Sequence, residues 1–232
     1  MKLVSTLLGQ SVRFVRATYP LSAIYIPDVI KGLRERYGFI QVPASAQDID
    51  LTKGMTFTHG KFALVKAKPS SRGKSPREII IDRFQIYNNI LLVDTKTDTD
   101  YADLFLEDVM GWAAETFDVN FTDLPLRKIY ASQLEVECLN ARLPEFQLGK
   151  RIEEFLRAYG QEPLPFETSS ITIHCDLTQI QPPPFPSPFV FGRREGLPYS
   201  SNMFFSSAPL ATSDHLALLN DVEVLISKKS RK

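Results

Sequence analysis

Glu78-Ile79-Ile80-Ile81, Ile90-Leu91-Leu92-Val93 and the stretch Thr99–Phe117 follow one another closely, and their reading decides the fold. The two apolar quartets are short and rich in branched side chains. Joined near Asn88-Asn89, they read as buried neighbouring strands. The third stretch changes period. Ala102, Phe105, Leu106, Val109, Met110, Trp112, Ala113 and Phe117 recur at helical spacing, while Asp103, Glu107 and Glu115 mark a polar side. That is an amphipathic helix facing a core.

Upstream, Val12 and Phe14 beside Arg13 and Arg16 suggest an opening strand. A helix is predicted from about Pro27 to Tyr37, with proline in its first turn and Gly38 just past its end. Residues 39–53 look irregular. Met55-Thr56-Phe57-Thr58 and Phe62-Ala63-Leu64-Val65 flank His59-Gly60-Lys61, which reads as a hairpin connection because glycine accepts a positive φ. Residues 66–77 are polar and rich in Pro, Ser and Gly, and read as a loop.

Downstream, a strand is predicted at 132–139, a helix at 145–159 stopping at Gly160, and a strand at 170–177. The run Gln181–Pro188 holds five prolines and cannot join the middle of a sheet, because proline lacks the amide donor. Strands follow near 189–192 and 202–207. A last helix starts at Thr212 or Ser213, either fit to cap it, and ends near Ser227. Strands thus come in groups with helices between the groups. That predicts an α+β fold, a mostly antiparallel sheet with about four helices packed on one face. The chain reads as a single α+β domain over 1–232 or two closely packed halves, divided near 125 or 160, with a basic tail at 228–232. No repeat of solenoid or propeller period is visible.

Composition narrows the function classes. The 232 residues carry 27 basic and 27 acidic side chains, with 44% hydrophobic and 23% charged. This excludes the low-hydrophobicity, high-charge pattern of disorder and a globally basic nucleic-acid binder. Two cysteines make no disulfide framework and cannot alone complete a structural zinc site. No apolar run approaches the roughly 20 residues of a membrane span. The apolar start Leu3–Leu8 is short and is followed by Arg13 and Arg16, unlike a secretory leader. A soluble, cytoplasmic protein with no membrane partner is expected.

The zero net charge is a cancellation. Lys61, Lys66, Lys68, Arg72, Lys74 and Arg77 stand together without an acid, whereas residues 94–118 hold eight acids against Lys96 alone. Lys66, Lys68, Arg72, Lys74 and Arg77 are the candidate nucleic-acid contacts, since a local basic run supplies the electrostatic term of phosphate binding. The other reading is a solvated loop. The acids complement the start of the 99–117 helix or face solvent, and they make no calcium-loop pattern.

Catalytic patterns are sparse. On a strand at 170–177, Ile171, Ile173, Cys175 and Leu177 share one face and Thr172, His174 and Asp176 the other. Cys175 then reads as a buried hydrophobe, as does Cys138 beside Leu134 and Val136. His174 and Asp176 form a same-face pair, the basis of a third reading as a hydrolase or transferase. His59 and His215 read as surface histidines. No Gly-x-Ser-x-Gly, His-Glu-x-x-His or phosphate-binding glycine loop is present. Neither a catalytic residue, nor a metal site, nor a cofactor is assigned. The first expectation is a non-enzymatic protein-interaction module or subunit of a cytosolic multiprotein assembly, with a protein partner or a second copy. The alternative is nucleic-acid contact through the basic 61–77 segment.

Overall fold

The computed structural model describes residues 1–17, 26–49, 54–64, 78–87, 89–119, 121–122, 128–138, 147–158, 167–176 and 186–228. In chain order the elements are β1 (Lys2–Phe14), β2 (Arg16–Ala17), α1 (Pro27–Tyr37), β3 (Met55–Ala63), β4 (Glu78–Tyr87), β5 (Ile90–Thr95) and α2 (Thr99–Phe117). Then come β6 (Phe121–Thr122), β7 (Lys128–Glu137), α3 (Gln147–Ala158), β8 (Ser170–Ile173), β9 (Phe189–Arg193), β10 (Met203–Ala208) and α4 (Thr212–Lys228). Eight strands make an antiparallel sheet, and β2 pairs with β6 on its own. The α+β expectation holds.

The chain divides into two compact units. Unit 1 comprises Met1–Ser5, Gln133–Ala208 and Ser213–Lys232, and unit 2 comprises Thr6–Ser132 with Pro209–Thr212. A repeat emerges that has no counterpart in residue periodicity. Apart from the two-residue strands β2 and β6, strand β1, α1, three strands and α2 are followed by strand β7, α3, three strands and α4. The strand orders correspond too, β3-β4-β5-β1 in one half of the chain and β8-β9-β10-β7 in the other.

Unit 2 has the larger core. Phe39, Phe57, Phe84 and Phe105 are fully buried together, with Leu33 and Tyr37 from α1 and Ala102, Leu106 and Val109 from α2. Most of their rings meet edge-on or tilted, as Phe84 and Phe105 do at 5.3 Å and 82°, while Phe39 and Phe84 lie near parallel at 6.3 Å. In unit 1, Leu134, Val136, Cys138, Phe191 and Phe204 pack with Leu216, Leu219 and Ile226 of α4. Phe191 and Phe204 stack at 4.7 Å. Helix α1 starts with proline, carries Asp28 in its first turn, and ends where Gly38, at φ 60°, donates its amide to the Arg34 carbonyl.

The hairpin expected at His59-Gly60-Lys61 is absent. Residues 55–63 form one strand, paired in constant register with β4 from Met55↔Ile86 to Ala63↔Glu78. The positive φ belongs to His59, at 57°, not to Gly60. Opposite this irregularity, the β4–β5 register shifts between Ile81 and Arg83, so Asp82 is a bulge residue. Gly60 is required for another reason. A Cβ there would lie 2.4 Å from Cε1 of Phe39. The predicted loop at 66–77 and the proline run up to Phe185 lie outside the described residues. No helix among the described residues is long and apolar enough to cross a membrane.

Candidate functional site

The sequence candidates fare unequally. Lys66, Lys68, Arg72, Lys74 and Arg77 lie outside the described residues, as do residues 229–232, so the nucleic-acid reading keeps its sequence basis alone. Lys61, at the margin of that run, is exposed and lies 3.5 Å from Glu78.

The His174/Asp176 reading loses its strand. β8 ends at Ile173, so the alternation that put both side chains on one face stops before them. His174, Cys175 and Asp176 are all exposed. Cys175 is therefore not the core residue expected, whereas Cys138 is buried. Burial pushes the Cys138 thiol up to about 11, helped by the charge of Glu223. A thiol so far from ionisation is a poor nucleophile. Among the described residues, no group of three or more His, Cys, Asp or Glu is placed to hold a metal ion.

Within the acidic segment, Asp94, Asp103, Glu107 and Asp108 are paired with cations. Asp94 accepts from Arg83 Nε at 2.7 Å and from Gln10 Nε2 at 2.8 Å. Asp108 receives Arg36 Nη2 at 2.9 Å and the Tyr37 hydroxyl at 2.6 Å. Burial and that carboxylate push the Tyr37 phenol well above its ordinary range.

Asp103 is the most heavily served. Its oxygens accept from Ser11 Oγ at 2.6 Å, Tyr130 Oη at 2.8 Å and Lys128 Nζ at 3.0 Å. Arg13, its side chain only 3% exposed, reaches the Asp103 carboxylate at 3.3 Å and Glu107 at 3.0 Å. Burial pushes the Asp103 carboxyl up. The hydrogen bonds from Ser11, Tyr130 and Lys128, with the Arg13 charge, outweigh it and hold the carboxyl below its ordinary value. Burial and the same carboxylate raise the Tyr130 phenol. The arrangement keeps Asp103 ionised and Tyr130 protonated. It ties α2 to β1 and β7 through charge-assisted hydrogen bonds.

His215 is the residue sequence reasoning misplaced. Expected at the surface, it is fully buried. Its Nε2 lies 2.9 Å from Ser206 Oγ, and Ser206 donates to the Val190 carbonyl at 2.7 Å. With that hydroxyl proton committed to the carbonyl, Ser206 accepts from a protonated Nε2, which fixes the tautomer. Burial pulls the imidazole down to about 4, so it is neutral at physiological pH. A serine whose proton is given to a backbone carbonyl is not activated for attack, since a triad needs that proton to pass to the imidazole. A signal existed in the sequence. Residues 215, 219, 222 and 226 form one helical stripe, and three of them are buried apolar or half-buried apolar partners of the unit 1 core.

Among the described residues, the ionisable groups at Asp94, Asp103 and Asp108 serve structure, and apolar exposure is a second feature of the surface. It concentrates, among the described residues, in unit 1. Val4, Ile152, Phe155, Ile173, Leu197, Tyr199, Val224 and Leu225 are exposed there, against Ile26, Ile40 and Ile80 in unit 2. Helix α3 stands out against its topological counterpart. α1 buries Ile30, Leu33 and Tyr37, whereas Ile152 and Phe155 of α3 remain 41% and 47% exposed. Spaced three apart, they share one helix face. Arg151 lies over the Phe155 ring at 4.7 Å and pairs with Glu154 at 2.6 Å.

No protein-family model matches the chain, and no curated protein is significantly similar to it.

Proposed function

We propose that the protein is a docking module that works through a protein partner, as one subunit of a cytosolic assembly, and that α3 is its contact helix. The observation that carries this reading is the exposure of Ile152 and Phe155, when the corresponding helix α1 buries its apolar residues. An amphipathic helix with anchors at i and i+3 is recognised by an apolar groove. Lys150, Arg151 and Arg157 against Glu153 and Glu154 call for a groove with a mixed-charge rim. Free thiols at Cys138 and at exposed Cys175 suit a reducing compartment.

The test is the mass of the natively purified protein by size exclusion with light scattering. A stoichiometric complex is expected. It should be lost on Ile152→Asp or Phe155→Asp, with the circular dichroism spectrum and Tm unchanged. A lone monomer, or a complex indifferent to both substitutions, overturns the reading.

A further inference from the structure

We infer that β8 is a pairing edge, and that its occupant is the β8 strand of a second copy of this chain. β8 ends its strand order, with β9 on one side. Its pairs are Ser170↔Gly192, Ile171↔Phe191, Thr172↔Val190 and Ile173↔Phe189. Just before it, the Arg193 amide donates to the Ser169 carbonyl at 2.8 Å. Hydrogen-bonded pairs alternate along an antiparallel ladder, so Ile171 and Ile173 turn their backbone groups to β9. Ser170 and Thr172 turn theirs outward, and both residues are exposed.

The equivalent edge in unit 2 is bridged at one point. There the Thr58 amide of β3 donates to the Gln41 carbonyl at 3.0 Å, and the Ile40 amide donates to the Thr58 carbonyl at 3.2 Å. Among the described residues no such segment lies against β8. Nor does β8 carry the devices that blunt an open edge, for it holds no charge, no proline and no bulge.

The sequence of β8 suits a second copy as its occupant. Two copies paired antiparallel about Thr172 set Thr172 opposite Thr172 and Ile171 opposite Ile173, all within β8. Thr172, whose backbone faces outward, then meets its own counterpart, and the branched apolar pair occupies the close, non-hydrogen-bonded position. No like charges oppose one another, because residues 168–175 carry none apart from His174. Ile173, 60% exposed, acquires an apolar neighbour by this pairing. So short an edge makes a small interface, and hence a weak, concentration-dependent dimer. The pairing is independent of the α3 reading.

Sedimentation of the full chain over a range of concentrations tests it. The wild type should pass from monomer to dimer. Thr172→Pro, which removes an outward amide, and Ile173→Lys, which places a charge on the edge, should each weaken the dimer about tenfold or more, with the monomer still folded. A cross-link reads the register. In a Cys175→Ser background, Thr172→Cys should oxidise to a disulfide-linked dimer, because facing hydrogen-bonded residues stand about 5.5 Å apart, within disulfide reach. Ser170→Cys should not.

A monomer at every concentration overturns the pairing. So does a dimer insensitive to both β8 substitutions, and so does cross-linking at 170 but not at 172. The α3 reading is judged separately, by loss of a complex on Ile152→Asp. Failure of one therefore leaves the other standing or falling on its own evidence.

Discussion

Thr99 and Thr212, the first residues of α2 and α4, cap each other. The Thr99 amide donates to the Thr212 hydroxyl at 3.0 Å, and the Thr212 amide donates to the Thr99 hydroxyl at 2.9 Å. Both residues are buried. The opening amides of a helix have no partner within it, and water, their usual substitute, is excluded here. Replacing either hydroxyl with a methyl orphans the other residue's amide in a buried place. Thr99→Val and Thr212→Val should each cost about 1–2 kcal/mol by chemical denaturation. The double variant should cost less than the sum if the two bonds form as a unit, since the second change removes a partner already strained. Strict additivity would show two independent caps.

His215 makes stability acid-sensitive within a defined window. Its folded value, about 4, lies below the ordinary 6.5. The unfolded chain therefore binds the proton first as pH falls. The contribution of neutral, buried His215 is complete above about pH 6.5 and is lost progressively toward pH 4, amounting to about 3 kcal/mol. Denaturation midpoints at pH 7 and pH 4.5 should show the drop. A His215→Gln variant, which cannot take up the proton, should be weaker at pH 7 but flatter across the interval. An equal slope in wild type and variant would assign the acid sensitivity elsewhere.

The Gly60 position isolates a packing demand. Phe39 is fully buried, and a methyl at residue 60 would overlap its ring edge. Its neighbours Phe57, Phe84 and Phe105 leave it little room to retreat. Gly60→Ala should destabilise unit 2 by about 1–3 kcal/mol. The companion Phe39→Leu should relieve part of that loss in the double variant, although Phe39→Leu alone is destabilising. Purely additive costs would show that the ring is not the obstacle.

The contrast between Gly60 and Phe105 explains what the sequence makes legible. Helix α2 and strands β4 and β5 were readable because their apolar residues repeat at periods that only one backbone conformation turns to a common side. Gly60 signals a special backbone need without saying which. A turn and a close ring contact leave the same letter, and the positive φ fell on His59 instead. Cys175 and His215 failed for related reasons. Alternation carried beyond Ile173 puts Cys175 in the core, but a strand's end is set by hydrogen bonding to a distant neighbour, and β8 stops at Ile173. His215 has the inward spacing of Leu219 and Ile226, but a histidine is buried only where a partner such as Ser206 awaits it, and that partner comes from another element. The repeated order of elements shows in topology, because topology constrains patterns of polarity and not particular side chains.

Arg13 and Asp103 supply the sharpest test of what the ionised residues are for. Arg13 is buried, and among the described residues its Nε has no hydrogen-bond partner, so its desolvation is only partly offset by Asp103 and Glu107. Removing the guanidinium leaves a half-buried carboxylate that still has Ser11, Tyr130 and Lys128. Arg13→Met, which keeps the volume, should therefore cost less than about 3 kcal/mol, the penalty typical of a buried pair broken without other partners. Asp103→Asn is the harsher change. It leaves Arg13 beside a neutral amide and turns a donor toward Lys128 or Tyr130, so a loss of about 3 kcal/mol or more is expected. The pH profile separates this site from His215. The Asp103 carboxyl sits below its ordinary 3.8, so its contribution is present above that value and is lost only as pH falls further. Acid unfolding of the wild type should accordingly show two limbs, one between about pH 6.5 and 4 that His215→Gln flattens, and one below about pH 4 that Asp103→Asn flattens. Had Asp103 been poised to exchange a proton in a reaction, its limb would lie near neutrality, and the Asn variant would change the profile there instead.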